Sequence, residues 1–433
     1  MKILYLLILI AIPTWGWTPL RSLCSGLYCK LSLENRKLDY YSPATNIVHL
    51  ELSSCQDSDL KTVLLTPRLR WLTVLHCEGN FSTTHLEAPP NLDILRLRLG
   101  NVTDLPILAN ISKLEKLDLR RNNIVQLANK TFQGLTNLRE LNLQDNLIRE
   151  LPEKVFHPLK KLLYLDLSRN QISQLSETFL PRDIEMIELN LRENPLTKLE
   201  FAIFVHPKSI DFIDLTNCQE MRGQLSLPFK IYTLNLEFSG VESTHTFWLA
   251  ELKAANSKVN DMSMMPHLKV LDLRGTNLTW LRANEILRRY ITLEIVDLSN
   301  NFIRFIPSED HQSVWPTFKK LNLSRNGLWD LPVNCPLFGV QLTSLDVSYN
   351  RLNRIDMATF EGAYDLESLF LQGNQLCNFE YRSEKLYNLK ELAVYDNDFD
   401  GSYCREMEGY FGNSSLILHR SSRGYACLKP EEN

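Results

Sequence analysis

The sequence predicts an α/β-type solenoid, in which short strands from successive repeats lie side by side in one parallel sheet. Three observations lead to this fold class. The pattern LxxLxLxxNxL recurs along the 433-residue chain, most copies lie 22 to 25 residues apart, and cysteines stand at both ends of the array. A fixed period of this length is typical of repeat architectures that share one continuous core. We therefore expect one stacked array, although the length alone would suit two or three ordinary domains.

The N-terminus predicts a secretory signal peptide at residues 1–16. One lysine precedes an apolar run from Ile3 to Ile12, and Pro13 and small residues follow. Ten apolar residues are too few to span a hydrocarbon layer of roughly 30 Å. No later stretch has 18 consecutive apolar residues, and the final residues are polar. We expect a mature chain that is secreted, extracellular and without a membrane span.

Seven N-x-S/T sequons agree with the secretory route, because this tripeptide is the acceptor for N-linked glycans. They predict glycosylation at Asn80, Asn101, Asn110, Asn129, Asn277, Asn322 and Asn413.

The ends of a solenoid expose its core and need caps. We expect an N-terminal cap over residues 17–45 with a Cys24–Cys29 bridge, and a C-terminal cap over residues 403–433 with a Cys404–Cys427 bridge. Disulfides suit an oxidising compartment.

The repeats occupy residues 46–402 and number about 16. Their first strand leucine, or its substitute, stands at Leu50, Leu72, Leu95, Leu117, Leu141, Leu165, Leu189, Ile213, Leu234, Leu252, Leu271, Val296, Leu321, Leu345, Leu369 and Leu392. Because alternate strand residues face opposite sides, both leucines of LxL should be buried and the residue between them exposed. The asparagine should bond backbone groups that the following turn leaves unpaired.

Two further features concern the side of the repeat away from the predicted sheet. The upstream phenylalanines Phe132, Phe156, Phe204 and Phe360 should fill the core there. Between Ile213 and Leu271 the spacings shorten to 21, 18 and 19, so we expect flatter or kinked curvature, and residues 219–228 resemble an irregular loop.

Five cysteines remain after the caps. Cys55, Cys77 and Cys218 occupy the asparagine position, where buried free thiols are the default, although adjacent strands could bring Cys55 and Cys77 to about 5 Å and allow a bond. Cys335 and Cys377 lie outside the strands. Nine cysteines leave at least one unpaired, either an exposed thiol able to bond another chain or a buried, inert Cys218.

The sequence contains none of the common catalytic signatures. The sequence contains no G-x-S-x-G, H-E-x-x-H, G-x-x-x-x-G-K-[ST] or helix-opening G-x-G-x-x-G, and its nine histidines lack metal-site spacing. The net charge of -4, with Asp118 among the nearby arginines, also disfavours nucleic acid as a partner. We therefore expect neither an enzyme nor a bound metal or cofactor.

The solvent-facing strand residues form the candidate binding face, on the concave side of the sheet. One interpretation is that they are ordinary solvated residues, and the other is that they form a polar docking surface for a protein. Aromatic and arginine side chains favour the second interpretation around Leu72 to Leu189. The candidate residues are Trp71, Arg96, Arg98, Lys116, Asp118, Arg120, Arg121, Glu140, Asn142, Tyr164, Asp166, Arg169, Asn190 and Arg192. A glycan on Asn322 would stand on the same face and obstruct docking there.

The repeat pattern over roughly residues 47–399 resembles the extracellular leucine-rich repeat family, which implies a horseshoe with a parallel sheet on its concave face and disulfide-stabilised caps. The segments LKAANSKV at 252–259 and NDFDGSYCREMEGYF at 397–411 are similar to the mosquito leucine-rich repeat immune proteins. This resemblance implies a haemolymph protein that binds complement-like thioester-containing proteins. The coiled coil of the long members has no counterpart in this sequence, which lacks heptads.

Two functional hypotheses follow. The first is a secreted, non-catalytic, protein-binding glycoprotein that serves as an innate-immune recognition or scaffold factor. The alternative is an extracellular-matrix or receptor-associated protein that binds a growth factor or a cell-surface partner. The fold alone does not choose between them, and homo- or hetero-oligomers remain open.

Overall fold

The computed structural model describes residues 17–18, 26–33, 37–38, 46–77, 89–98, 111–199, 207–262, 265–279, 292–306, 317–335, 337–412 and 414–427. The predicted signal peptide, Cys24, Phe204 and the sequons at Asn80, Asn101, Asn110 and Asn413 lie outside these residues. The chain forms two compact units, residues 1–172 with 178–185, and residues 173–177 with 186–433.

The first unit is built on a parallel sheet of short strands. Its strands are β2 (Tyr28–Ser32), β4 (His49–Ser53), β5 (Trp71–Leu75), β6 (Ile94–Arg98), β7 (Lys116–Asp118), β8 (Glu140–Asn142) and β9 (Tyr164–Asp166). A separate parallel pair joins β1 (Trp17–Thr18) to β3 (Lys37–Leu38), and helix α1 spans Asp57–Leu64.

The leucines of these strands stack in register. Leu117 lies beside Leu141, which lies beside Leu165, and the same column runs back through Leu95 and Leu72 to Leu50. Every member is exposed by 1% or less, and the second leucine of each LxL is also buried. The predicted arrangement of the strands is therefore confirmed.

The second unit repeats this design. Its main sheet contains β10 (Glu185–Asn190), β11 (Ser209–Asp214), β13 (Lys230–Asn235), β15 (Glu251–Lys253), β17 (Val270–Asp272), β18 (Ile295–Asp297), β19 (Lys320–Asn322), β20 (Ser344–Asp346), β21 (Ser368–Phe370), β22 (Glu391–Ala393) and β23 (Ile417–Leu418). Short 3-10 helices span Met357–Phe360 and Glu384–Leu386, and helix α2 spans Gly401–Gly412. The column from Ile213 to Leu392 is in register at each step, including Leu252 with Leu271.

The short repeats contain a feature that the sequence did not predict. Strands β12 (Gln224–Ser226), β14 (Ser243–His245) and β16 (Asp261–Met262) form a second parallel sheet. The interpretation of residues 219–228 as an irregular loop was therefore wrong over 224–226. A repeat with little chain beyond its first strand returns as an extended segment, which pairs with its neighbours and satisfies its own backbone.

The asparagine of each regular repeat bonds the backbone as predicted. Asn146 Nδ2 donates to the carbonyl oxygens of Leu119 (3.1 Å) and Leu143 (2.9 Å), and its Oδ1 accepts from the Ile124 amide (3.1 Å). The same set recurs at Asn170, Asn350, Asn374 and Asn397. Each amide therefore joins two neighbouring repeats through groups that the turn would leave unpaired.

The upstream phenylalanines that the structure describes are core residues. Phe132 and Phe156 are fully buried and stack with their ring centroids 5.7 Å apart, and Phe338 stacks on Phe360 in the second unit at 5.9 Å. Packing, rather than an aromatic ligand cage, explains them.

The cysteines differ in part from the prediction. Cys404 is bonded to Cys427, and Cys29 is disulfide-bonded. Cys55 and Cys77 also form a disulfide, with their Cα atoms 4.4 Å apart, so the default of two free thiols was wrong. Adjacent strands hold these side chains at the same turn position, within the reach of an S–S bond. Among the described residues, Cys218 and Cys335 are buried free thiols and Cys377 is an exposed one.

The sheets extend into both predicted caps. β2 pairs with β4, placing Cys29 beside Leu50, and β23 pairs with β22, placing Leu418 beside Leu392. Sequence reasoning missed both strands because neither carries the full leucine pattern.

Candidate protein-binding face

The open face is defined here, separately in each unit, as the side of the main sheet formed by the strand residues on either side of the buried leucines. In β7 these residues are Lys116 and Asp118, which are half-buried, while Leu117 between them is buried. The leucines fix the backbone, so the open-face residues can vary without loss of core.

A stack of rings begins the open face of the first unit. His49 lies flat against Trp71, with ring centroids 4.2 Å apart and an interplanar angle of 8°, and Tyr28 meets His49 edge-on at 4.6 Å. On the next strand, the Arg96 guanidinium carbon lies 4.9 Å from the Trp71 ring centroid. Partial burial lowers the pKa of His49, a shift that Glu51 opposes. The stack therefore orients Arg96 by a cation–π contact.

Three arginines lie around one carboxylate beside this stack. Arg98 Nη2 donates to Asp118 Oδ2 at 2.6 Å, and Arg120 Nε lies 3.2 Å from the same oxygen. Asp118 Oδ1 accepts from the Arg120 backbone amide at 3.2 Å. Burial raises the pKa of Asp118, while Arg98 and Arg96 act in the opposite direction. The sequence pattern predicts that Arg96, Arg98, Arg120 and Arg121 cluster on adjacent strands. The first three lie near Asp118, where positive charge exceeds negative charge, but Arg121 pairs with Asp145 instead.

The next two strands carry mostly paired polar groups. Lys116 and Glu140 form an ion pair at 2.6 Å, and Asn142 Nδ2 donates to Asp166 Oδ2 at 3.4 Å. Tyr164 is 37% exposed at the start of β9. Of this group, Tyr164 offers the largest apolar surface to a partner.

Arg121 and Arg169 lie in the turns after the strands. Asp145 lies between them in sequence, 3.6 Å from the Arg121 guanidinium and 3.8 Å from that of Arg169. All three have positive φ angles, between 53° and 58°. Both arginines are exposed at the edge of the open face, apart from the Asp118 cluster.

The last two candidates belong to the second unit. Asn190 Oδ1 accepts from the Arg192 amide at 3.1 Å, and Arg192 pairs with Glu193 at 2.8 Å. The other twelve candidates share the first unit.

The open face of the second unit contains an ion cluster that sequence reasoning missed. Arg274 bonds Asp272 (Nη2 to Oδ2, 2.7 Å) and lies 3.7 Å from Glu237 and 3.8 Å from Asp297. The bond to Asp272 raises the pKa of Arg274. Arg274 follows its strand at the position that Arg120 takes in the first unit, and this shared position was the available signal.

The described sequons differ in exposure. Asn129 and Asn277 are exposed, whereas Asn322 is half-buried in β19. Asn322 Nδ2 donates to Asp297 Oδ2 at 3.2 Å, and its Oδ1 accepts from the Ser324 amide at 2.9 Å. Asn322 thus lies on the open face, as expected.

Metal sites and membrane-spanning helices are absent from the described residues. Within the described ranges, no group of three or more histidine, cysteine or acidic side chains could hold a metal ion. The helices in the part of the chain that the structure describes are all too short or too polar to cross a bilayer. An open depression lined by Val48, Arg68, Arg70, Asn91, Asp93 and Lys113 lies mainly before the strands.

A protein-family profile described as "Leucine rich repeat" matches residues 90–146, 112–172 and 316–376. The stacked leucines and bonded asparagines are those of that family. These residues are leucine-rich repeats. The matched residues include β7 to β9 in the first unit and β19 to β21 in the second.

Two curated proteins illustrate the sequence similarity of this chain. Leucine-rich repeat-containing G-protein coupled receptor 5 of Rattus norvegicus is 44% identical over 70 residues, 16% of this chain and 8% of the receptor. Keratocan of Gallus gallus is 26% identical over 133 residues, 28% of this chain and 38% of keratocan. The chain thus spans well under half of either relative.

Solved structures support the fold. The leucine-rich repeat domain of mosquito APL1B has a TM-score of 0.50 and 21% identity, covering 76% of this chain and 89% of that one. The LRIM1/APL1C complex has a TM-score of 0.52 and 17% sequence identity, and the match covers 88% of this chain and 69% of that one. The Drosophila Toll–Spatzle complex has a TM-score of 0.58 and 18% sequence identity, and the match covers 86% of this chain and 55% of that one. At these identities the likeness establishes the fold alone.

Proposed function

We propose that this chain is a secreted, non-catalytic glycoprotein that binds an extracellular protein through the open face of its first unit. The observation that carries the proposal is the combination of Trp71, Arg96 and Tyr164 on one rigid sheet. Tryptophan, tyrosine and arginine most often dominate the energy of protein interfaces. The stacked repeats hold the backbone of these residues in place, which lowers the ordering cost at binding.

Within this function, we favour innate-immune recognition or scaffolding, with a complement-like thioester-containing protein as the candidate partner. Support comes from the resemblance of residues 252–259 and 397–411 to mosquito immune proteins. The solved neighbours include two complexes, LRIM1/APL1C and Toll–Spatzle, so related solenoids do bind proteins.

The alternative is an extracellular-matrix or receptor-associated binding protein for a growth factor or cell-surface partner. The similarity to keratocan and to the G-protein coupled receptor favours it. Both functions would use the same open face.

Affinity purification of the full chain from native body fluid, followed by mass spectrometry, tests the proposal. The immune function predicts recovery of a thioester-containing protein and induction of the transcript by challenge. Retention on cells or matrix without induction would favour the alternative. Recovery of no partner under any condition, or a hydrolytic or transferase activity abolished by one polar substitution, would contradict protein binding as the main role.

The secretory part has a separate test. N-terminal sequencing of the secreted chain should begin at Trp17, and peptide N-glycosidase should lower its apparent mass. Retention of residues 1–16, with no glycan, would contradict secretion.

A further inference from the structure

The cluster of Arg96, Arg98 and Arg120 has fewer acceptors than donors. Each guanidinium carries five N–H groups. Among the described residues, Asp118 is the one carboxylate within 4.0 Å of Arg98 or Arg120, and Arg96 has none within that distance. The Nε atoms of Arg98 and Arg120 are buried, and neither donates a well-oriented hydrogen bond to a described group, since the 3.2 Å contact of Arg120 Nε with Asp118 Oδ2 is an ion pair with poor hydrogen-bond geometry. The cluster therefore contains three cations and one anion, and that anion pairs with two of them.

Arg96 is directed away from that anion. Its Cα lies in register opposite that of Asp118 on the neighbouring strand, a position from which the two side chains could pair. Its guanidinium lies over Trp71 instead. Asp118 is already engaged on both oxygens, by the Arg120 amide on Oδ1 and by Arg98 on Oδ2.

We propose that Arg96, Arg98 and Arg120 form a binding site for a single aspartate or glutamate side chain of a protein partner. The inference rests on the proposed function, since it specifies the chemistry that the same open face recognises. A carboxylate bonds guanidinium groups by charge-assisted hydrogen bonds, which are the strong class of hydrogen bond. Because Arg96 already packs on the Trp71 ring, which stacks on His49, the entropic cost of ordering its side chain when a carboxylate binds is lower.

The surroundings favour one carboxylate over a polyanion such as a sulfated polysaccharide. Glu51, Glu140 and Asp166 flank the cluster on the same face. The whole chain carries a net charge of -4. A long polyanion would meet these acidic groups on either side, whereas one side chain meets only the arginines.

Substitution of Asp118 gives a test that misfolding cannot imitate. Asp118→Asn removes the competing charge and leaves three unpaired cations. Asparagine is compatible with this position, because Asn142 occupies it on the next strand and its Oδ1 accepts the equivalent amide, that of Gln144, at 2.9 Å. Tighter binding by Asp118→Asn would show that Asp118 and the partner's carboxylate compete for the same guanidinium groups.

The experiment uses a random 12-residue peptide library selected on the full glycosylated chain, so it needs no native partner. Selected peptides should share an Asp or Glu, and replacing it by Asn or Gln should weaken binding at least tenfold. Arg96→Gln/Arg98→Gln should weaken the acidic peptide at least tenfold, and Asp118→Asn should tighten it at least threefold. The matched control, Lys154→Gln/Arg182→Gln, changes two exposed basic residues outside the sheet and should have no effect.

Binders that need no acid, no binders at all, or unchanged or weaker binding by Asp118→Asn would overturn the inference. Elution of the Arg96→Gln/Arg98→Gln variant from heparin at lower salt than the wild-type chain would also overturn it, in favour of a sulfated polysaccharide. The proposed function fails differently: the wild-type chain would then recover no protein from native fluid, whatever the peptides show.

Discussion

At the residue scale, the asparagine position shows why the repeat tolerates so few substitutes. An amide supplies both a donor and an acceptor, and the turn needs both. Shorter side chains occupy this position in some repeats, where Ser257 Oγ and Thr276 Oγ1 donate to the carbonyl oxygens of Ala254 (2.6 Å) and Leu273 (2.8 Å). Cys218 makes a weaker contact with the Leu191 carbonyl at 3.4 Å. The residue before this position often has a positive φ, as at Arg121 and Tyr349.

Replacing one bonded asparagine should destabilise the stack. Asn350→Ala removes the donor to Leu323 and Val347 and the acceptor of the Leu328 amide, each a buried contact. An unsatisfied buried backbone group costs about 1 to 3 kcal/mol, so the free energy of unfolding should fall by at least about 2 kcal/mol in a denaturant titration. Asn353→Ala, at an exposed position of the same repeat, is the control. Equal stability of the two variants would contradict the role given to this amide.

The free thiols should react unequally. Burial raises the pKa of Cys218 to about 12 and that of Cys335 to about 12, whereas Cys377 is exposed. Because the thiolate is the reactive form, native protein at pH 8 should be alkylated at Cys377, and at Cys218 and Cys335 only after unfolding. Peptide mapping after iodoacetamide treatment measures this, and labelling of native Cys218 would contradict its burial.

At the element scale, each repeat is a strand and a turn whose stability depends on its neighbours. The end repeats need other supports. Helix α2 buries Cys404, Met407 and Phe411, and Tyr403 accepts a hydrogen bond from the Phe379 amide at 2.8 Å. On the exposed side of the same helix, Glu406 forms an ion pair with Arg382 at 2.6 Å. The terminal helix thus covers core that the last strands would expose.

Removing the terminal disulfide should loosen this helix locally. Cys404→Ser/Cys427→Ser opens a bridge with a sequence separation of 23 residues, which constrains the unfolded chain and ties the segment after β23 to α2. Hydrogen exchange should accelerate across residues 401–427. It should stay unchanged in residues 111–172, which belong to the other unit. Uniform acceleration along the whole chain would contradict a local role.

A cavity in the stack should cost far more than a change on its open face. Leu143→Ala empties a fully buried position between neighbouring repeats and should lower the free energy of unfolding by about 2 to 5 kcal/mol. Gln144→Ala, one residue later and partly exposed, should have little effect. Calorimetry of both variants measures the difference, and an unchanged melting temperature for Leu143→Ala would contradict the core assignment.

At the scale of the whole molecule, the two sides of each main sheet differ. The buried strand positions are nearly all leucine or a similar aliphatic residue, whereas the open-face residues change from strand to strand. The first unit has rings and excess arginine, and the second has the Arg274 cluster and a sequon at Asn322. A glycan on Asn322 would cover part of the second unit's face.

The partner should depend on the first unit's face. Tyr164→Ala/Arg121→Ala removes two exposed side chains without touching the core, so partner binding should weaken at least tenfold while the melting temperature stays the same. The control Tyr387→Ala/Arg354→Ala changes the same residue types at exposed positions of the second unit. Surface plasmon resonance with the purified partner compares them, and equal affinity of the folded test variant would remove these residues from the interface.

The sequence alone determined the solenoid, the leucine register and the role of the asparagine, because each repeats at a fixed period and obeys local chemistry. Only the tertiary structure decided the Cys55–Cys77 bond, the second sheet at 224–226 and the pairing within the face. Those features depend on the relative orientation of side chains and backbone groups in neighbouring repeats. A strand pattern shows that Arg96 and Asp118 share a side of the sheet. Only the tertiary structure shows that Arg96 contacts Trp71, while Arg98 and Arg120 pair with Asp118.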